Sequence, residues 1–144
     1  AGQLINWSRI IRNKINEVHT FTHPLDENIH GCSHVLWGGL PTQKGTSASN
    51  AVFYGEKAID RSPCGTGTSA RMAQWYSKGK LQVGDVFIHE SIIGSIFKAK
   101  VEETIQVGDF PGIVPSIEGE ARIIGYNQLI FDPKDPYVRG FQVI

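Results

Sequence analysis

Asp60-Arg61-Ser62-Pro63-Cys64-Gly65-Thr66-Gly67-Thr68-Ser69-Ala70-Arg71-Met72-Ala73-Gln74-Trp75-Tyr76 joins a strand-like run to a helix-like one. Ala70, Met72, Ala73 and Gln74 favour helix, and Gly79 is placed to end it in the left-handed conformation. Gly65 and Gly67 let the backbone come close to a ligand, while Thr66, Thr68 or Ser69 can cap the first turn. A cysteine just before a helix sits beside unpaired N–H donors and the positive end of the macrodipole, conditions that favour a reactive thiolate.

The same donors make a ready anion site for a carboxylate. Asp60, four residues upstream of Cys64 across Pro63, supplies a negative charge suited to an ammonium group. Carboxylate cradle, ammonium partner and thiolate together describe a site for an amino acid, with the sulfur aimed at its α-carbon. A tight strand-to-helix turn with Cys64 as a small buried hydrophobe accounts for the same residues without chemistry.

Outward from this stretch, Leu4, Trp7, Ile11, Ile15 and Val18 recur every three or four residues among polar ones, predicting an amphipathic helix over 4–18 with one buried face. The polar run from His19 to His30, with His23-Pro24, reads as an irregular connection. Ser33–Trp37 and Asn50–Tyr54 read as strands, each closed by a glycine. After the helix that follows Cys64, further strands are expected at Asp85–Ile88, Ser95–Val101, Gly112–Ile117 and Ala121–Phe131, with turns at Gly84-Asp85 and Gly108-Asp109. Trp7, Trp37 and Trp75 fall at core-like positions. The class is α+β, with six or more strands and two helices.

The chain has 144 residues, 40% apolar and 19% charged, with 14 Lys and Arg against 14 Asp and Glu. That is one domain, large enough for a core, with no basic field for a nucleic-acid backbone. No apolar run approaches the roughly 20 residues that cross a bilayer, so no membrane contact is expected. Sixteen glycines are an excess, and several fall around Cys64. Two cysteines are too few for a disulfide framework, which suits free thiols and a cytoplasmic location. The five histidines show no metal-ligand spacing, and no metal is expected. The first residues run almost directly into the predicted helix, as if continuing a longer polypeptide.

The unbroken stretch Asp60–Ala70 resembles the second cysteine motif of the proline racemase family, which includes 4-hydroxyproline 2-epimerases. The likeness extends through Glu90-Ser91-Ile92-Ile93-Gly94-Ser95 and Gly125-Tyr126-Asn127-Gln128 to Asp132-Pro133 and Gly140-Phe141, nearly the whole chain. It implies a cofactor-independent reaction in which two cysteines flank the substrate α-carbon, one removing its proton and the other protonating the opposite face. Carried over by position, Cys64 is the second acid/base cysteine, Asp60 contacts the substrate amine, and Gly65 and Thr66 donate backbone N–H groups to the carboxylate. Tyr54 stands where proline racemases often have a pocket phenylalanine. The implied fold is one lobe of a two-lobe, diaminopimelate-epimerase-like α/β structure, with strands wrapped around a central helix.

The family's first cysteine lies in a Met-Cys-Gly-His motif that this sequence lacks. Cys32, in Gly31-Cys32-Ser33-His34, matches neither that motif nor its position, and is expected to be a packed, inert thiol. Residues 1–144 therefore resemble the C-terminal lobe, with the N-terminal lobe as the missing partner, an apolar face where that partner packs, and no turnover by this chain alone. Homodimers are common in the family. His34, thirty positions before Cys64, stands where hydroxyproline epimerases resemble the sequence more closely than proline racemases, and its imidazole suits a 4-hydroxyl. An edge-strand histidine facing water satisfies the same position. The implied substrate is 4-hydroxyproline, with proline as the alternative. Related dehydratases carry threonine in place of the second cysteine, and Cys64 separates this chain from them. A carboxylate- or phosphate-binding module without chemistry is the competing class, whereas a thiol redox protein lacks its Cys-x-x-Cys.

Overall fold

A computed structural model describes residues 2–142; Ala1, Val143 and Ile144, the ends of the expected 1–144 unit, lie outside the described residues. The chain runs α1 (Gly2–Val18), β1 (Thr22–His23), β2 (Asp26–His30), β3 (Val35–Gly39), β4 (Ala48–Tyr54), β5 (Ala58–Ile59), α2 (Gly65–Ser77), β6 (Val86–Ser91), β7 (Ile96–Val107) and β8 (Phe110–Glu118). Six strands form one sheet in the order β3-β4-β6-β7-β8, with β5 paired to β4. Every pairing in it is antiparallel except β4 with β6, which are joined by the crossover through α2. The α+β class and the helix after Cys64 are as the sequence predicts.

Alternation along the strands decides what each face meets. On one face Ala48, Phe87, Ala99 and Val101 close around Met72 of α2, with Leu81, Trp75, Ile113 and Ile117 completing the core. Trp75 meets Phe87 edge-on, with ring centroids 5.1 Å apart. The helix also reaches the opposite edge: Gly38 of β3 leaves room for Arg71, where a Cβ would stand 3.4 Å from Nη2. Contacts from β3 across to β8 mean that the sheet curls around α2. Gly79 follows the C-cap Lys78 at φ +67° and donates to the Tyr76 carbonyl, ending α2 as predicted.

On the other face α1 packs against β3 and β4. The Trp37 indole N–H donates to Ser8 Oγ at 2.8 Å, and the Arg12 guanidinium lies 5.3 Å from the centre of the buried Phe53 ring. These contacts correct the expected helix face. Ser8 is the helix's one fully buried described residue, while Trp7, Ile11 and Val18 stand 40–57% exposed. The polar side chains at positions 8 and 12 win the inward positions because Trp37, Gly55 and Glu56 offer them hydrogen-bond or ionic partners.

Two further expectations change. His19–His30 contains the hairpin of β1 and β2 rather than an irregular connection. Ala121–Phe131 forms no strand among the described residues, although its composition favours one. Ile124, Tyr126 and Ile130 are 86–91% exposed, and no described edge pairs with this segment. No described helix is long and apolar enough to cross a membrane.

Candidate active site around Cys64

Helix α2 begins two residues earlier than a Thr66 cap would give. The N-cap is Cys64 itself, at φ 62°, ψ 121°, and its sulfur accepts the Gly67 N–H at 3.3 Å. Cys64 is the one described non-glycine residue with positive φ, a conformation that costs of order 1–3 kcal/mol. The neighbouring sequence holds it there. Asp60 Oδ1 accepts from the backbone N–H and hydroxyl of Ser62 at 2.8 and 2.9 Å, and the Ser62 hydroxyl accepts the Cys64 N–H at 3.1 Å. Buried Pro63 packs between them. Gly67 keeps the approach close: a Cβ there would stand 3.0 Å from Leu36 Cδ1 and 3.4 Å from the Cys64 sulfur.

The Thr68 N–H donates to the Cys64 carbonyl, and that of Gly67 to its sulfur. The Gly65 and Thr66 N–H groups remain at the exposed helix end, where an anion has access to them.

The sulfur borders a cleft of about 310 Å³ lined by His34, Leu36, Val52, Cys64, Thr66, Gly67, Ala70, Arg71 and Gln74. The cleft lies between one face of α2 and the β3–β4 edge. His34 comes from just before β3, with Nδ1 2.7 Å from Ser33 Oγ and its ring stacked 6.4 Å from that of Tyr54.

Of the residues singled out in the sequence, Cys64, Thr66 and His34 thus line one cleft, with Tyr54 reached through His34. Gly65 stands at the helix end beside it. Asp60 does not line the cleft, its carboxylate being turned back onto Ser62. Cys32 is half-buried, and its thiol donates to the His34 carbonyl at 3.3 Å. Leu36, Val52, Arg71 and Gln74 were not singled out. For the helical pair, the three- and four-residue spacing of 64, 67, 71 and 74 is the signal that places them on one face.

A strained cysteine cap at the mouth of a cleft, on a helix enclosed by a curled mixed sheet, sets a thiol beside the first N–H groups of that helix. The chain belongs to the proline racemase family, whose family model matches residues 1–142. It is 61% identical over 144 residues to a 4-hydroxyproline 2-epimerase of Spirosoma linguale, and 55% identical over 144 residues to one of Ancylobacter novellus. Each alignment covers all of this chain and 43% of the relative, so the chain spans under half the length of these curated relatives. Two crystal structures share the fold. A probable proline racemase from Agrobacterium radiobacter K84, with bound carbonate, has TM-score 0.83 at 34% identity, over 99% of this chain and 42% of that one. A hydroxyproline epimerase from Agrobacterium vitis, with bound trans-4-hydroxy-L-proline, has TM-score 0.82 at 29% identity, over 98% and 40%.

Proposed function

We propose that this chain is the C-terminal lobe of a 4-hydroxyproline 2-epimerase, contributing the second of two acid/base cysteines. The observation that carries the reading is the Cys64 sulfur, held by the Gly67 N–H at the edge of a cleft shared with His34 and Thr66. The 55–61% identity to proteins named 4-hydroxyproline 2-epimerase supports the substrate.

In the proposed reaction the substrate carboxylate lies on the N–H groups of Gly65 and Thr66, where the helix end offsets its charge. Cys64, as thiolate, takes the α-proton: the Cα–H bond breaks, an S–H bond forms, and the electron pair remains on the substrate as a carbanion delocalised into the carboxylate. A thiol from the other lobe then gives its proton to the opposite face of the α-carbon. Its S–H bond breaks as the new Cα–H bond forms, inverting the centre with no net gain or loss of atoms or electrons. In the reverse direction the two sulfurs exchange roles, and no cofactor takes part. Asp60 offers Oδ2 to the substrate amine while Oδ1 keeps Ser62 in place, and Tyr54 supports His34, whose imidazole bonds the 4-hydroxyl. The other lobe supplies the first cysteine and covers the exposed apolar segment 121–131, so this lobe alone is inactive.

The test is epimerisation of trans-4-hydroxy-L-proline and of L-proline by the intact protein in deuterated water. The reading expects deuterium at the α-carbon with hydroxyproline preferred, and Cys64→Ser lower by about 10²–10⁴-fold in kcat. Neither substrate exchanging its α-proton, or full activity in Cys64→Ser, overturns it.

A further inference from the structure

Beneath the Cys64 turn lies a buried polar cluster. His89 of β6 is 0% exposed, Thr68 of α2 0% and Asn50 of β4 3%. Three separate elements thus bring their polar side chains to one point. Asn50 and Thr68 meet there at the carbonyl of Pro63, the residue that precedes Cys64. It accepts from Asn50 Nδ2 at 2.7 Å and from Thr68 Oγ1 at 3.1 Å. Both donors also contact His89 Nδ1, Asn50 Nδ2 at 3.2 Å and Thr68 Oγ1 at 3.0 Å.

The partners assign the imidazole tautomer. An amide nitrogen only donates, so the Asn50 contact casts Nδ1 as acceptor and places the ring proton on Nε2, a buried atom without a hydrogen-bond partner among the described residues. The Asn50 amide then gives one N–H to Pro63 and the other to His89, while the single hydroxyl proton of Thr68 serves the Pro63 carbonyl in one orientation and Nδ1 in the other. An imidazolium would point an N–H at that amide instead. Burial, and then the neighbouring Arg71 charge, hold His89 down at about 4, so the acceptor form prevails at neutral pH.

The orientation of the Pro63–Cys64 peptide sets the Cys64 backbone, which rests at φ 62°. That unfavourable conformation persists only where its surroundings over-determine it. Ser62 restrains the peptide from the Cys64 N–H, and the buried cluster restrains it from the Pro63 carbonyl. We infer that His89 is a positioning residue for Cys64: through Asn50 and Thr68 it fixes the Pro63 carbonyl, and so keeps the sulfur on the Gly67 N–H and facing the cleft. This rests on Cys64 being the reacting group of the proposed function. It assigns a task to a buried histidine that touches neither the cleft nor the sulfur.

The test is the pH profile of Cys64 alkylation by iodoacetamide in the intact protein, followed by peptide mass spectrometry. In His89→Asn the amide oxygen falls where Nδ1 stands and still accepts from Asn50, so the profile stays at the unsubstituted value. In His89→Gln the amide reaches only the Nε2 position. The turn relaxes, the sulfur loses its N–H donor, and the midpoint rises by about one pH unit, the equivalent of one hydrogen bond to a charged group. Thr68→Val, which keeps shape and removes the hydroxyl, produces the same rise and decides the matter if His89→Gln does not fold. Midpoints unchanged in the folded variants overturn the inference, even if melting temperatures fall, because a merely structural histidine changes stability without moving the profile. Alkylation reads the sulfur whatever the substrate is. Failure of the epimerase reading appears instead as absent α-proton exchange in the unsubstituted protein.

Discussion

The Cys64 sulfur accepts the backbone N–H of Gly67 at 3.3 Å, so one side chain both caps α2 and faces the cleft. Cys32 has the opposite arrangement: its thiol is the donor, to the His34 carbonyl at 3.3 Å. A brief pulse of iodoacetamide at neutral pH should therefore label Cys64 about tenfold faster than Cys32, measured by peptide mass spectrometry. Equal, slow labelling at both would favour an anion-binding module without chemistry.

Gly67→Ala separates stability from reactivity. Its new methyl would stand 3.4 Å from the sulfur and 3.0 Å from Leu36 Cδ1, the end of a side chain that can turn aside. Alanine gains roughly 0.5–1 kcal/mol over glycine inside a helix, which offsets the cost of moving Leu36. Stability by denaturant titration should thus stay within about 1 kcal/mol of the unsubstituted protein. Alkylation of Cys64 should slow several-fold, because the methyl covers the sulfur. An unchanged rate would mean that the sulfur does not depend on the space at Gly67.

These features were legible in the sequence because they are local. Glycines and helix formers after Cys64 specify a close approach and a helix start within a few residues, and Gly79 specifies the end, although the cap is Cys64 itself and not Thr66, Thr68 or Ser69. Features that depend on distant partners were not legible. The apolar spacing of α1 favoured Leu4, Trp7, Ile11, Ile15 and Val18 as its buried face; Leu4 and Ile15 are half-buried, but Trp37 and the Gly55–Glu56 turn draw Ser8 and Arg12 inward and leave Trp7, Ile11 and Val18 exposed. Ala121–Phe131 has strand-like composition, but a strand also needs a partner, and no described strand pairs with this segment. His89 joins Asn50 and Thr68 only after β4, β6 and α2 have assembled, so no spacing in the chain announces the cluster.

His34 lines the cleft with Cys64, and removal of its imidazole tests the proposed contact to a substrate hydroxyl. Losing one neutral hydrogen bond of about 0.5–1.5 kcal/mol corresponds to a fall of roughly 2- to 12-fold in kcat/KM. In the intact protein, His34→Ala should show that fall for trans-4-hydroxy-L-proline and none for L-proline, followed by polarimetry. The same loss for both substrates would assign His34 to the general shape of the cleft, through its stacking on Tyr54, rather than to the hydroxyl.

Glu90 supplies the clearest dependence of stability on pH. Its buried carboxylate gathers the β3–β4 loop, accepting from the backbone N–H groups of Thr42 and Gln43 at 3.0 and 3.1 Å, from Thr46 Oγ1 at 3.2 Å and from the Thr42 hydroxyl. The Thr42 hydroxyl above all, with the backbone donors, lowers the Glu90 pKa from 4.5 to about 2. Because the folded value lies below the unfolded one, the carboxylate stabilises the fold fully above about pH 4.5 and progressively less as pH falls toward 2. Glu90→Gln keeps the shape but puts an amide NH2 among these donors, and it has no such proton to take up. Its melting temperature should lie several degrees below that of the unsubstituted protein at pH 7, and the gap should narrow between pH 4.5 and 2. A gap that stays constant across that range would show that the Glu90 charge does not hold the loop.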